Sequence, residues 1–292
     1  MALEDHHGMP GRERVISQEF VFASLGTMTC SLGSQDFFDE LRRLSIRIFD
    51  PQSIVTLVFA KGQLPRTIDH WIPDAKLRRL FEETYTDFGY LLDPFHDLAM
   101  SGFEDGAYRL RDVAPDQFFR SRASRRYYRQ TTLVDEVGCL HRMRDGRVAH
   151  LSLGRHRGRP VFGKRALARL KSLSPALMAL IAAHVERAAR YPAQVQAETP
   201  PPTLREEIRR LSPVGGRPVT ARESEVASLI VQGHSTVSIG LNLGISPQTV
   251  KVHRRNIYRK LGVSSLAELY SRIPASRAGT SVQATPLPDR HN

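Results

Sequence analysis

The side chains best suited to chemistry lie in one run, residues 246–261: Ser-Pro-Gln-Thr-Val-Lys-Val-His-Arg-Arg-Asn-Ile-Tyr-Arg-Lys-Leu. Lys251, Arg254, Arg255, Arg259 and Lys260 carry positive charge with no acidic residue among them, which suits contact with nucleic-acid phosphates. Arginine can grip the O6 and N7 acceptors of guanine with two bonds. Arg255 stands four residues after Lys251 on the same helical face, so it is the best candidate for reading a base. Two plainer readings compete: Arg255 on phosphate alone, or a solvated face of an ordinary core helix.

A second group surrounds Asp145-Gly146, a preferred two-residue turn between Val137–Arg144 and Arg147–Leu153. With Arg144 opposite Arg147, counting outward pairs His141 with His150 and Cys139 with Ser152. Alternation then puts Cys139, His141, Met143, Val148, His150 and Ser152 on one face. A Cys139, His141 and His150 trio is compatible with a borderline metal or a pocket floor that responds to pH or oxidation. No fourth ligand is visible, and paired histidines on a half-wet sheet face are the plainer reading, so no metal is assigned. The chain has no Gly-x-Gly-x-x-Gly, phosphate-binding loop, His-Glu-x-x-His or Gly-x-Ser-x-Gly. Neither catalysis nor a bound cofactor is expected.

The cationic run needs a scaffold, and the sequence before it supplies one. Ser246 caps a helix and Pro247 suits its first position, while Val250, Ile257 and Leu261 make its buried stripe. Upstream, Thr220 and Glu223 have capping-box spacing for a helix that turns Val226, Leu229 and Ile230 inward and stops near Gly233. Ser235 opens a second short helix with Ile239 and Leu243 inside, and Gly244-Ile245-Ser246 turns into the cationic helix. Two short helices joined by so tight a turn, the second one basic, make a helix-turn-helix pattern. Gly262 ends it, and Ser264 opens a fourth helix with Leu266, Leu269 and Tyr270 inside.

Residues 219–273 resemble the C-terminal DNA-binding domain of LuxR-type transcription regulators. The resemblance is carried by Thr220-Ala221-Arg222-Glu223-Ser224-Glu225-Val226, Gly233, Ile239, Leu243-Gly244-Ile245-Ser246, Thr249-Val250-Lys251-Val252-His253, Ile257 and Lys260-Leu261-Gly262-Val263. It implies an all-α four-helix domain in which Lys251, Val252 and Arg255 face base edges of double-stranded DNA. Thr249, Arg254 and Arg259 then sit nearer phosphates, and Leu266, Leu269 and Tyr270 supply a dimer contact. Gly240 departs from the family, which usually has Ala there, and Leu241 stands where polar residues are usual.

Between residues 16 and 190, helical and strand patterns alternate. Residues 35–49 read as a helix with Phe38, Leu41, Leu44 and Ile48 inward. Residues 53–59 and 66–72 read as strands, 74–88 and 115–134 as helices, and 163–189 as a last helix with a leucine stripe. Helices on either side of an antiparallel sheet indicate an α+β sensor domain of the GAF or PAS kind. The segment is also similar to the N-terminal part of LuxR-family regulators, often a ligand sensor. Phe81, Tyr85, Tyr90 and Asp93-Pro94 resemble the aromatic-rich motif of acyl-homoserine-lactone receptors, which implies a small-molecule pocket; independently, the hairpin reading offers His141 and His150 as part of a pocket floor. Phe81 stands where that motif has tryptophan, and the spacing to Asp93 is short by about a residue. The aromatic side chains Phe81, Tyr85, Phe88 and Phe95 read equally well as domain core, leaving a protein-binding adaptor as the alternative.

The remaining composition bounds these readings. Of a formal net charge of +12, residues 203–273 carry +6, from eleven basic and five acidic side chains. That concentration is a nucleic-acid footprint. Arg120, Arg122, Arg125, Arg126 and Arg129 form another basic run that reads as a solvated helix face. Two cysteines make no disulfide framework, no uninterrupted apolar stretch has transmembrane length, and the start lacks a secretory signal. A cytoplasmic protein without a membrane partner is expected, acting as a homodimer. Residues 1–15 read as a flexible tail, 16–190 as the sensor or dimerisation domain, and 191–218 as a Pro- and Gly-rich linker around a short charged stretch, Leu204 to Leu211, compatible with a helix. Residues 219–273 read as the DNA-binding domain and 274–292 as a disordered tail.

Overall fold

The computed structural model describes residues 16–86, 89–118, 131–188, 202–214 and 216–278. The arginine-rich run 120–129, Phe88, most of the expected 115–134 helix and much of both tails lie outside the described residues.

The N-terminal part is built on a five-stranded antiparallel sheet in the order β2-β1-β5-β4-β3. Its strands are β1 (Ser53–Phe59), β2 (Arg66–Trp71), β3 (Gly106–Arg109), β4 (Leu133–Arg142) and β5 (Val148–His156). Helices α1 (Gln18–Cys30), α2 (Asp36–Phe49) and α6 (Lys164–Ala188) share a core with one face, through Phe37, Leu41, Ile54, Val58, Leu151 and Ile181. On the other face Val55, Leu57, Phe59 and Leu140 meet α3 (Ala75–Thr84), the 3-10 turn Gly89–Leu92 and α4 (Pro94–Ser101). A one-turn helix, α5, spans Leu110–Val113. This is the expected α+β arrangement, with β3 and α1 as elements that the periodicity did not reveal.

Leu133 and Val134, read as the end of a helix, begin strand β4 instead. Helix α6 is long and apolar enough, by length and composition, to cross a membrane, because its few charges lie near its ends. Here Leu170, Leu177, Ile181 and Val185 are buried against the sheet.

The hairpin corrects the expected register. Met143 N–H donates to Arg147 O at 2.8 Å and Gly146 N–H to Met143 O at 3.0 Å. Gly146 takes the left-handed conformation (φ 83°), so the loop holds residues 144–146 rather than two. Leu140 therefore pairs with His150, and His141 with Ala149. A shift of one residue moves a strand's side chains to the other face. Cys139, His141 and Met143 stay together, while Val148, His150 and Ser152 point the opposite way, so the trio does not assemble.

The C-terminal part contains α7 (Leu204–Arg210), α8 (Ala221–Gln232), α9 (Thr236–Leu243), α10 (Pro247–Leu261) and α11 (Leu266–Ala278). Helix α7 lies in the stretch read as a linker, yet Leu204, Ile208 and Leu211 are buried in the helical core and its Thr203–Glu206 capping box is complete.

Candidate functional site

Helix α10 starts as its sequence requires. Ser246 Oγ accepts the Thr249 N–H at 3.0 Å, and Gly262 closes the helix in the left-handed conformation. Val250, Ile257 and Leu261 anchor it in the core, at no more than 1% exposure. Gly240 is buried in α9 where an added Cβ would lie 2.8 Å from the Ile245 carbonyl oxygen, so its lack of a side chain lets the turn approach closely.

The anchored stripe fixes what faces outward. Lys251, Val252, Arg254, Arg255 and Arg259 are exposed, and Thr249 is half-buried beside Ser246. Arg254 lies over the Tyr258 ring at 5.4 Å, and Arg259 donates to Asn256 Oδ1 at 3.2 Å. Among the described residues no carboxylate pairs with Lys251, Arg254, Arg255 or Arg259. Lys260 differs: its ammonium pairs with Glu223 at 2.7 Å and donates to Pro218 O, tying α10 to the start of α8. Burial pushes the Glu223 carboxyl up, but Lys260 and Thr220 outweigh burial and hold it below its ordinary value. Arg222 likewise braces the turn, donating to Leu243 O at 2.6 Å.

The residues expected at a dimer contact sit differently. Leu269 and Tyr270 are 0% and 7% exposed because α11 turns them into its own domain's core, leaving Leu266 half-exposed.

On the α3–α4 face of the sheet is a cavity of about 100 Å³. Phe81, Tyr85, Asp93 and His150 line it, together with Ser152, which the alternation placed beside His150, and Glu136, Ser53 and His156, which sequence reasoning missed. Val55, Leu57, Ile72 and Leu77 make its apolar wall. Tyr90 lies behind it against His96, and His141 sits on the other sheet face, paired with Asp105 at 2.6 Å. Glu136 was hidden because its partner Ser152 lies across the strand pair, in a register that the sequence misplaced.

Asp93 does two jobs at the cavity's edge. One oxygen caps α4 through the Phe95 N–H (2.8 Å), and the other accepts the Tyr85 hydroxyl at 2.6 Å. Burial nevertheless raises its pKa. Burial and the nearby Asp93 charge push Glu136 up to about 8, while its Oε1 accepts the Ser152 hydroxyl at 2.5 Å. Burial lowers His150 to about 4, so it stays neutral. Its Nδ1–H donates to Cys139 O at 3.1 Å. An added Cβ at Gly138 would fall 2.7 Å from both the His150 and Phe95 rings, so glycine there lets the two rings close over the strand.

The N-terminal and helix-turn-helix parts touch at the α8–α9 turn. The Gln232 side-chain amide donates to Asp97 Oδ1 at 3.4 Å, and Gln117 N–H to Gly233 O at 2.9 Å. Asp116 Oδ1 accepts the Ser235 N–H at 2.9 Å, at the amino end of α9.

Comparison with known proteins agrees with the helix-turn-helix reading of the C-terminal part. Residues 217–273 match the family model described as "Bacterial regulatory proteins, luxR family". The HTH-type transcriptional regulator in the exeN 3′ region of Aeromonas salmonicida is 33% identical over 183 residues, covering 61% of this chain and 91% of that protein. The transcriptional regulatory protein UhpA of Escherichia coli K12 is 48% identical over 56 residues, covering 19% of this chain and 29% of UhpA. Among solved structures, the VqsR LBD domain of Pseudomonas aeruginosa is 23% identical with a TM-score of 0.47, covering 57% of this chain and 97% of that one. The chain belongs to the LuxR family of bacterial regulatory proteins. It is a transcription regulator with a DNA-binding helix-turn-helix domain.

Proposed function

We propose that this regulator is ligand-responsive, with α10 reading DNA and the α3–α4 cavity sensing a compact small molecule. Lys251, Val252 and Arg255 meet base edges, while Thr249, Arg254 and Arg259 meet phosphates. Two copies act together in the cytoplasm, because a two-fold operator needs recognition helices about 34–36 Å apart.

The observation that carries the sensing role is the course of α4. Its cap, Asp93, lines the cavity, and Asp97 on its next turn bonds Gln232 of the DNA-binding domain. A ligand that moves Asp93 thereby acts on the hold between domains. That hold matters for DNA, since the first helix of a helix-turn-helix crosses the phosphate backbone and helix amino ends favour anions. Asp116 occupies that end of α9, so docking and phosphate compete.

The test is thermal-shift screening of the full chain against small metabolites, followed by DNA affinity with each hit. A hit that raises the melting temperature with occupancy and changes DNA affinity supports the reading. No stabilising metabolite would instead favour an adaptor whose N-terminal domain binds protein.

A further inference from the structure

Resting on the sensor reading above, we propose that the cavity takes a compact organic cation, a primary ammonium on a short apolar body, held between Asp93 and Glu136. The donors and acceptors in the lining define this class. Tyr85 donates its hydroxyl to Asp93 and Ser152 donates its own to Glu136. Ser53 Oγ lies 2.9 Å from His156 Nε2, and His156 Nδ1 lies 2.7 Å from Thr131 O, which leaves Ser53 as donor and the ring nitrogen as acceptor. His150, 1% exposed, commits its Nδ1–H to Cys139 O, and its Nε2 lone pair has no partner among the described residues. Of the four hydroxyls in the lining, those of Tyr85, Ser152 and Ser53 are thus engaged within it and Thr131 is not free, while carboxyl lone pairs and His150 Nε2 remain.

Apart from the one proton the acid pair itself carries, this lining offers acceptors, and a ligand that displaces that proton meets only acceptors there. An ammonium has three donors and no acceptor, an alcohol has one donor, and a carboxylate has none. Charge points the same way. No Lys or Arg among the described residues forms an ion pair with Asp93 or Glu136. Asp135 lies near Glu136 and adds negative charge, and burial holds His96, His150 and His156 toward their neutral forms. Among the described residues no cation pairs with the acid pair to offset the repulsion an anion would meet there.

Size and wall chemistry set the rest of the ligand. At about 100 Å³ the cavity is well below the several hundred Å³ of ordinary ligand pockets, which leaves no room for a long acyl chain. Val55, Leu57, Ile72, Leu77 and Phe81 suit a short hydrocarbon body. Burial and mutual repulsion keep a proton on the acid pair, and a bound cation reverses this. Binding therefore expels a proton, most fully near neutral pH.

Calorimetry on the full chain tests this with isopentylammonium, isopentanol, isovalerate and N-butanoyl homoserine lactone, in two buffers of different ionisation heat. Isopentylammonium is expected to bind about tenfold or more tighter than isopentanol, with proton release, and isovalerate not at all. Glu136→Gln should weaken the ammonium about tenfold or more and remove the proton release. Leu77→Trp should block binding with both acids in place. Equal or better binding of the alcohol or carboxylate, or an unchanged ammonium affinity in Glu136→Gln, overturns the proposal. Binding of the lactone amide without the ammonium overturns the cation class and keeps the cavity as a sensor. Loss of both readings requires that the wider metabolite screen also yields nothing.

Discussion

Asp93, the cap of α4, and Asp97 within that helix stand one turn apart, the first lining the α3–α4 cavity and the second accepting the Gln232 amide of the DNA-binding domain at 3.4 Å. With Asp116 on the Ser235 N–H, they form a short route from the cavity to the helix-turn-helix. Asp97→Ala combined with Asp116→Ala should raise ligand-free DNA affinity by roughly two- to tenfold, the scale of a lost helix-terminus contact. Fluorescence anisotropy with labelled duplex measures this, and Asp36→Ala on α2 controls for the mere loss of acidic charge. Unchanged affinity in the double variant would exclude docking as a brake.

Lys260 reads as a DNA-facing cation in the sequence but works inside the domain. Lys260→Met leaves the Glu223 carboxylate, 6% exposed, without its cation. A loss of about 2 kcal/mol of stability is expected, measured by urea denaturation at pH 7. The Glu223 carboxyl is held below its ordinary value in the folded chain. Its contribution is therefore complete above the unfolded value of about 4.3 and fades as pH falls through the folded value. The variant and the parent should converge in stability under acid.

Glu136 has the opposite sign. The folded chain holds its proton up to about pH 8. The unfolded chain releases it near about 4.3. Over that window the folded state binds more protons, so stability falls as pH rises through it. Glu136→Gln removes this slope while keeping an acceptor for Ser152. Its melting temperature should exceed the parent's most at pH 8–9 and least below pH 4.

Thiol chemistry checks the corrected hairpin register. Burial pushes Cys139 up to about 12, in a core shared with α2 and α6, whereas Cys30 is exposed. Ellman's reagent should titrate one thiol in the native protein and both after denaturation. Rapid reaction of both native thiols would place Cys139 elsewhere.

The sequence disclosed what is local. Ser246-Pro247, the Thr220–Glu223 box and Gly262 each fix a helix end through neighbouring atoms, and all three act as expected. The hairpin was legible as a turn but not in register. Residues Val148–Gly154 of β5 are all buried, so alternation could not choose a face, and one extra loop residue decided it. Helix α1 was missed because its apolar residues surround it rather than forming a stripe, and β3 because it has only four residues. Glu136, His156 and the Asp116–Ser235 contact depend on pairings across 16 to 119 residues, for which a linear pattern carries no signal.

The most direct test of the account is selection of the full chain's preferred sites from a random DNA pool, repeated with Arg255→Ala and Lys251→Ala. A defined motif should emerge, and Arg255→Ala should relax the choice at one base position at a cost of about 1–3 kcal/mol. Arg259→Ala, at a proposed phosphate contact, should instead weaken all sequences alike and lower the salt slope by about one. No enriched motif, or one left intact by both Arg255→Ala and Lys251→Ala, would contradict α10 as the helix that reads DNA.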